Sequence, residues 1–161
     1  MEVESLADAL EQEHHQIDAG IAAFTAAPGD RQPLTRAIGA LRRHIYLEEE
    51  FLFPLLYRAE TALGAPVSVM LRDHAQIWDI LGSLEREPDP SVRLALCKHL
   101  TVLLSHHNLK QEKILYPRAG DRLPPDAASR LRAFLGTGEL PDGWVCIRAR
   151  PVPHGSGHAG G

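Results

Sequence analysis

The sequence has little cysteine: two residues, Cys97 and Cys146, far apart and without a CxxC pair. That leaves no basis for a disulfide framework. Cys97 sits in an apolar helical pattern and reads as a small core residue. There is no basic excess either. The formal charge is -4, where a nucleic-acid binder would show a basic stripe. No apolar run reaches the length of a membrane span. The N-terminal stretch MEVESLADALEQEHH is acidic and lacks the basic-then-apolar plan of a signal peptide, so a cytoplasmic protein is expected. The chain offers no Ser-His-Asp set and no glycine-rich phosphate loop. No segment alternates like a strand.

What remains is an ordinary soluble composition, 44% apolar and 24% charged, in a length that fits one compact domain. Against that background nine histidines stand out. Pro and Gly divide the sequence into blocks with apolar residues spaced by three or four. The first block runs over 3–26, with Leu6, Leu10, His14, Ile17, Ile21 and Phe24 on one stripe. The second runs over 33–60 and carries Leu34, Ile38, Leu41, Ile45, Glu48, Leu52 and Leu55. Pro54 inside it predicts a kink. The third starts at Pro66 and carries Met70, His74, Ile77, Trp78 and Leu81. The fourth opens after Pro90 and carries Leu100, Leu104, His107 and Gln111, with Pro117 late, as Pro54 is in the second. Short connections predict antiparallel neighbours. The expected fold is all-α, an up-down-up-down four-helix bundle over 1–120. A short helix follows within 121–138, and a Gly/Pro-rich flexible tail over 139–161 carries His154 and His158.

An internal duplication organises the histidines. Glu13-His14-His15-Gln16-Ile17 repeats as Asp73-His74-Ala75-Gln76-Ile77. The stretch from His44 through Glu48-Glu49-Glu50 to Pro54 repeats as His107 through Gln111-Glu112-Lys113 to Pro117. Each unit thus supplies one His on its first helix, and a His followed by acid on its second. Residues i and i+4 share a helical face, so His44 and Glu48 project side by side. His14, His44, His74 and His107 fall on or beside the apolar stripes and point inward. A carboxylate among them, unpaired in a bundle core, needs a cation. Imidazole plus carboxylate is a ligand set for iron or manganese as well as zinc.

Four histidines at mirrored positions, one with an acid one turn on, outweigh the ordinary reading of a lone His on an apolar face as a satisfied core residue. His15 and His106 lie off the stripe and read as surface groups or supports for their neighbours. His99 reads as partly buried. Glu49 and Glu50 read as a solvated run or as hydrogen-bond partners of metal-bound histidines. Trp78 is core packing or a wall of the pocket. Tyr46, Tyr57 and Tyr116 fall off the ligand stripe.

Residues 6–118 resemble the hemerythrin family in its bacterial HHE-domain form. Its pattern of His, HxxxE, His, and HxxxE or Hx4D/E is met by His14, by His44 with Glu48, by His74 and by His107. The resemblance implies a bundle holding two iron ions, oxo- or hydroxo-bridged and carboxylate-bridged. It also implies a small diatomic or peroxide ligand: oxygen binding, peroxide turnover or nitric oxide handling. No nucleic acid or membrane partner is expected, and a protein partner is left open. A sensing module without turnover and a bundle with a single metal remain open at this point.

Two departures from the family pattern matter. Gln111 stands where a second HxxxE would have Glu, which leaves Glu112 as the bridging acid opposite Glu48. Glu112 lies about 140° from His107 on an ideal helix, so a local distortion around 109–112 is expected. Trp78 stands where oxygen carriers have a further His, so four histidines rather than five serve the site. More open metal positions favour chemistry over simple carriage. The expected metal ligands are therefore His14, His44, Glu48, His74, His107 and Glu112.

Overall fold

A computed structural model describes residues 4–151. Four helical rods form a ring. The first is α1, Leu6–Ala26. The second is α2, Gln32–Leu47, continued through a π turn at Glu48–Leu52 into α3, Phe53–Ala59. The third is α4, Gly64–Arg86. The fourth is α5, Pro90–Lys110, continued through a π turn at Gln111–Leu115 into α6, Tyr116–Arg122. A separate helix, α7, spans Pro125–Thr137. Among the described residues there is no strand, and no helix is long and apolar enough to cross a membrane. The all-α bundle expected from the periodicity is the fold observed.

Local chemistry sets the helix ends. Ser5 caps α1 by accepting from the Asp8 amide at 3.0 Å. Asp89 caps α5 by accepting from the Ser91 amide at 2.8 Å, with Pro90 in the first turn, where its missing N–H costs nothing. At the two late prolines the helix departs from the α form in the same way. A proline inside a helix cannot donate, and its ring crowds the carbonyl four residues back. At both Pro54 and Pro117 the preceding turn widens by one residue, so Phe53 N–H reaches the Glu48 carbonyl and Tyr116 N–H reaches that of Gln111. The same sequence feature thus produces the same defect in both halves of the duplication.

The rods bury two apolar clusters, and the histidines lie between them. One cluster gathers Ile17, Ile21, Phe24, Leu41, Ile45, Ile77, Leu81, Leu100 and Leu104. The other gathers Leu6, Leu10, Leu47, Leu52, Phe53, Met70, Leu115 and Tyr116. On α1, His14 falls between Leu10 of one and Ile17 of the other; on α4, His74 falls between Met70 and Ile77. A polar layer closed above and below by aliphatic side chains is shielded from water on both sides.

The C-terminal segment differs from its sequence reading. Part of the stretch read as a flexible tail lies against the bundle. Pro141–Trp144 makes a turn with Gly143 at φ 76°, a conformation that suits glycine, and Trp144 N–H bonds the Pro141 carbonyl at 3.2 Å. The chain then runs back so that Cys146 is fully buried in the first cluster and Trp144 packs edge-on against Trp78. His154 and His158 lie outside the described residues.

The core assignment has a direct check. Leu81→Ala removes a fully buried side chain from the first cluster and is expected to cost about 2–5 kcal/mol in urea unfolding. Val102→Ala, at a position 58% exposed, is expected to stay within about 0.5 kcal/mol of wild type. Equal losses in the two variants would contradict the placement of the core.

Candidate metal centre

Five of the six residues singled out by the sequence converge in the polar layer. His14, His44, Glu48, His74 and His107 are all buried, and Glu48 and His74 are fully so. Glu48 lies at the middle. Its Oε1 is 3.3 Å from His44 Nε2 and 3.4 Å from His74 Nε2. Its Oε2 accepts from Gln111 Nε2 at 2.6 Å and from the Tyr116 hydroxyl at 3.1 Å. Ligand atoms of Glu48, His74 and His107 lie within 4.8 Å of one another. On the other side, His14 Nε2 and His44 Nε2 approach to 3.1 Å.

The outer nitrogens of all four histidines are engaged in the same way. His14 Nδ1 meets Glu112 at 3.2 Å, His44 Nδ1 meets Glu13 at 2.8 Å, His74 Nδ1 meets Glu49 at 2.9 Å and His107 Nδ1 meets Asp73 at 3.1 Å. A carboxylate on Nδ1 fixes that nitrogen as the donor and leaves the lone pair of Nε2 for the interior. Four such pairs in one layer orient four imidazoles toward a common region.

Two inward atoms are left over. Glu48 Oε1 and His74 Nε2 are buried and have no hydrogen-bond partner. Buried polar groups in native proteins are nearly always satisfied, and an uncompensated buried acceptor is costly. A carboxylate oxygen and an imidazole nitrogen that face each other at 3.4 Å, neither within a hydrogen bond, suit a cation, which needs acceptors only. The donor set is imidazole and carboxylate, and suits iron, manganese or zinc.

Electrostatics of the bare protein point the same way. Burial works against a charge on His44, yet Glu48 and Glu13 outweigh it and hold the imidazole up at about 10. Its neighbour His14 is pushed down to about 3 by burial and by the cation on His44. Burial would raise the Glu48 carboxyl, but His44 and His74 hold it well below the usual carboxylate range. The bare site thus keeps its buried carboxylate ionised with protons on histidines. A metal would replace those protons as the counter-charge.

Gln111 and Glu112 are placed differently from the sequence expectation. The helix is distorted, but the π turn starts at Gln111 and does not carry Glu112 to Glu48. Gln111 is the fully buried residue that bonds Glu48, while the Glu112 side chain is 26% exposed and holds the outer nitrogen of His14. Tyr116 also departs from the periodic reading. Its hydroxyl lies 2.9 Å from His14 Nε2, 3.0 Å from His44 Nε2 and 3.1 Å from Gln111 Oε1. The widened turn rotates everything after 111, and a stripe extrapolated at 3.6 residues per turn misses it. The available signal was the repeat: Tyr116 falls at the position of Phe53, whose ring stacks on His74 with centroids 5.6 Å apart.

The remaining side residues are peripheral. His15, His99 and His106 are exposed, so His99 is not the partly buried group its position suggested. Trp78 lies under the Arg42 guanidinium and against Trp144, at the edge of the first cluster rather than over the histidines. A groove of about 520 Å³ runs between α1 and α5, lined by His14, His15, Asp18, Ser105, Asn108 and Glu112 among others. It reaches the layer at His14.

A family model described as the hemerythrin HHE cation binding domain matches residues 5–119. Comparison with curated proteins and with solved structures finds no match.

The Asp73 support can be tested without metal. Burial would raise its carboxyl, but His107 and Lys110 outweigh burial and lower it from 3.8 to about 2. A depressed carboxyl contributes stability in full above its unfolded value and loses it as pH falls through the folded one, so the window runs from about pH 4 down to about pH 2. In urea unfolding of the metal-free protein, Asp73→Asn is expected to be less stable than wild type near neutrality, with the gap closing across that window. A gap unchanged down to about pH 2 would contradict the pairing.

Proposed function

The chain belongs to the hemerythrin HHE cation-binding family, and we propose that it holds two iron ions on His14, His44, Glu48, His74 and His107 and uses them to bind or react with oxygen, peroxide or nitric oxide. The observation that carries the reading is the set of four Nδ1–carboxylate pairs that turn four imidazoles toward a buried, partly unsatisfied Glu48.

The residues divide into two halves that share Glu48. His14 and His44 serve one ion, with the Tyr116 hydroxyl between them. His74 and His107 serve the other. Glu112 enters as the support of His14 rather than as the bridge opposite Glu48, and Gln111 takes the inward position as a neutral group. Bound iron would supply a Lewis acid and a redox centre. The protein's own part is to orient and enclose. Glu13, Glu49, Asp73 and Glu112 fix the imidazoles. The two aliphatic clusters exclude water. Burial and Glu48 keep the Tyr116 phenol protonated, well above its usual titration, so it can donate to Glu48 Oε2 or to a ligand in the layer. The groove that reaches His14, about 520 Å³ in volume, has room for a diatomic or peroxide molecule.

A single-ion reading has one observation in its favour. Glu48, His74 and His107 form a compact three-residue group, whereas His14 Nε2 and His44 Nε2 already touch. Iron counts separate the two. Wild type loaded with ferrous iron is expected to hold two ions per chain. His44→Ala is expected to hold about one and keep its helical content, Glu48→Gln to lose both, and Glu112→Gln to keep two. One ion in wild type, unaffected by His44→Ala, would select the single-ion site. Full occupancy in both His44→Ala and Glu48→Gln would overturn the ligand assignment altogether. Addition of peroxide or nitric oxide to the two-iron protein is expected to change its visible spectrum.

A further inference from the structure

Residues 125–149 lie outside the stretch matched by the family model, yet they touch the supports of two of the four histidines. The first contact runs through Arg43. Its guanidinium closes the C-terminal end of α7: Nε donates to the Gly138 carbonyl at 2.7 Å, and Nη2 donates to the Leu135 carbonyl at 2.9 Å and to that of Phe134. The same side chain stacks over the Phe134 ring. Its remaining amino group, Nη1, donates to Glu13 Oε1 at 2.7 Å, and Glu13 Oε2 holds His44 Nδ1. The second contact runs through the backbone of the short 3-10 turn Ile147–Ala149, which packs on α4. Ile147 N–H donates to Glu49 Oε2 at 2.9 Å, while Glu49 Oε1 holds His74 Nδ1. Burial of Cys146 and the Trp144 Nε1–H bond to Glu50, 3.0 Å long, anchor the strand of chain that delivers this amide.

A carboxylate with both oxygens engaged has one orientation; with one oxygen free it has several. Glu13 and Glu49 are each bonded on one oxygen to a histidine and on the other to a donor that depends on the C-terminal segment. We infer that residues 134–149 form a positioning strap that fixes Glu13 and Glu49, and through them His44 and His74, and so sets the affinity of one histidine in each half of the centre for its metal. Removal of such outer hydrogen-bond partners typically weakens metal binding by about 10–100-fold without removing a ligand. The inference rests on the metal-centre reading, and the experiment separates the two.

Ile147→Pro deletes the donor to Glu49 and little else. Ile147 is 43% exposed, it opens its short turn, and Cys146 at φ -59° and ψ 148° already has the conformation required before proline. Arg43→Lys cuts the other wire, because one ammonium cannot span Glu13 and the carbonyls of α7. Arg148→Ala breaks a strap contact, Arg148 to Ser68, that leads to neither carboxylate. Full-length proteins are titrated with Co(II), and affinity and the visible d–d spectrum are read. Ile147→Pro and Arg43→Lys are expected to weaken uptake by about tenfold or more and to shift the band, while Arg148→Ala matches wild type. Wild-type affinity and spectrum in both Ile147→Pro and Arg43→Lys would overturn the strap. So would an equal loss in Arg148→Ala, which would show general loosening instead. Absence of Co(II) uptake by wild type would be a failure of the metal-centre reading, seen before any variant is compared.

Discussion

The structure depends on one costly placement: the Glu48 carboxylate, fully buried between two aliphatic clusters with one oxygen unsatisfied. A bundle of this size gains its stability from apolar stripes, and a buried charge works against that gain unless it is paired. The surrounding polar residues make sense as the response. Four imidazoles surround the carboxylate, four outer carboxylates hold the imidazoles, and Arg43 and Lys110 in turn hold two of those carboxylates. Polar contacts thus run without a break from the buried centre to the surface.

The duplication explains how one chain builds these shells economically. An acid before the first His of each unit, Glu13 or Asp73, supports the second His of the same unit, His44 or His107. An acid after the second His, Glu49 or Glu112, supports the first His of the other unit, His74 or His14. The rule makes Glu112 the counterpart of Glu49 and Gln111 the counterpart of Glu48. The two halves differ where chemistry would be asymmetric: Glu48 against Gln111, and Phe53 against Tyr116. One half therefore has a phenol and shares the carboxylate with the other, which has a plain aromatic wall.

Much of this was legible in the sequence, and the failures have a physical pattern. Helix existence and the inward histidines follow from a 3.6-residue period that holds through α1, α2, α4 and α5. The inward position of Gln111 was contained in the repeat, but the charge argument favoured an acid and pointed to Glu112 instead. The polar layer met the need for carboxylate differently, by placing acids on the outer nitrogens. Tyr116 was lost because a π turn breaks the period that the stripe assumes, and proline signals the break without giving its phase. The segment 139–150 reads as loop because Pro141-Asp142-Gly143 breaks it and no apolar period runs through it. Its docking depends on Trp144 meeting Tyr46 of α2 and Trp78 of α4 and on Cys146 entering the first cluster, which local composition does not encode.

The central claim is that inward imidazole nitrogens around Glu48 bind metal. Crystals of the iron-loaded protein, measured on both sides of the iron absorption edge, test it most directly. The expected result is two anomalous peaks in the polar layer, one beside His14 and His44 and one beside His74 and His107, with Glu48 between them. Anomalous density only at exposed groups such as His15 or His106, with the layer empty, would contradict the account.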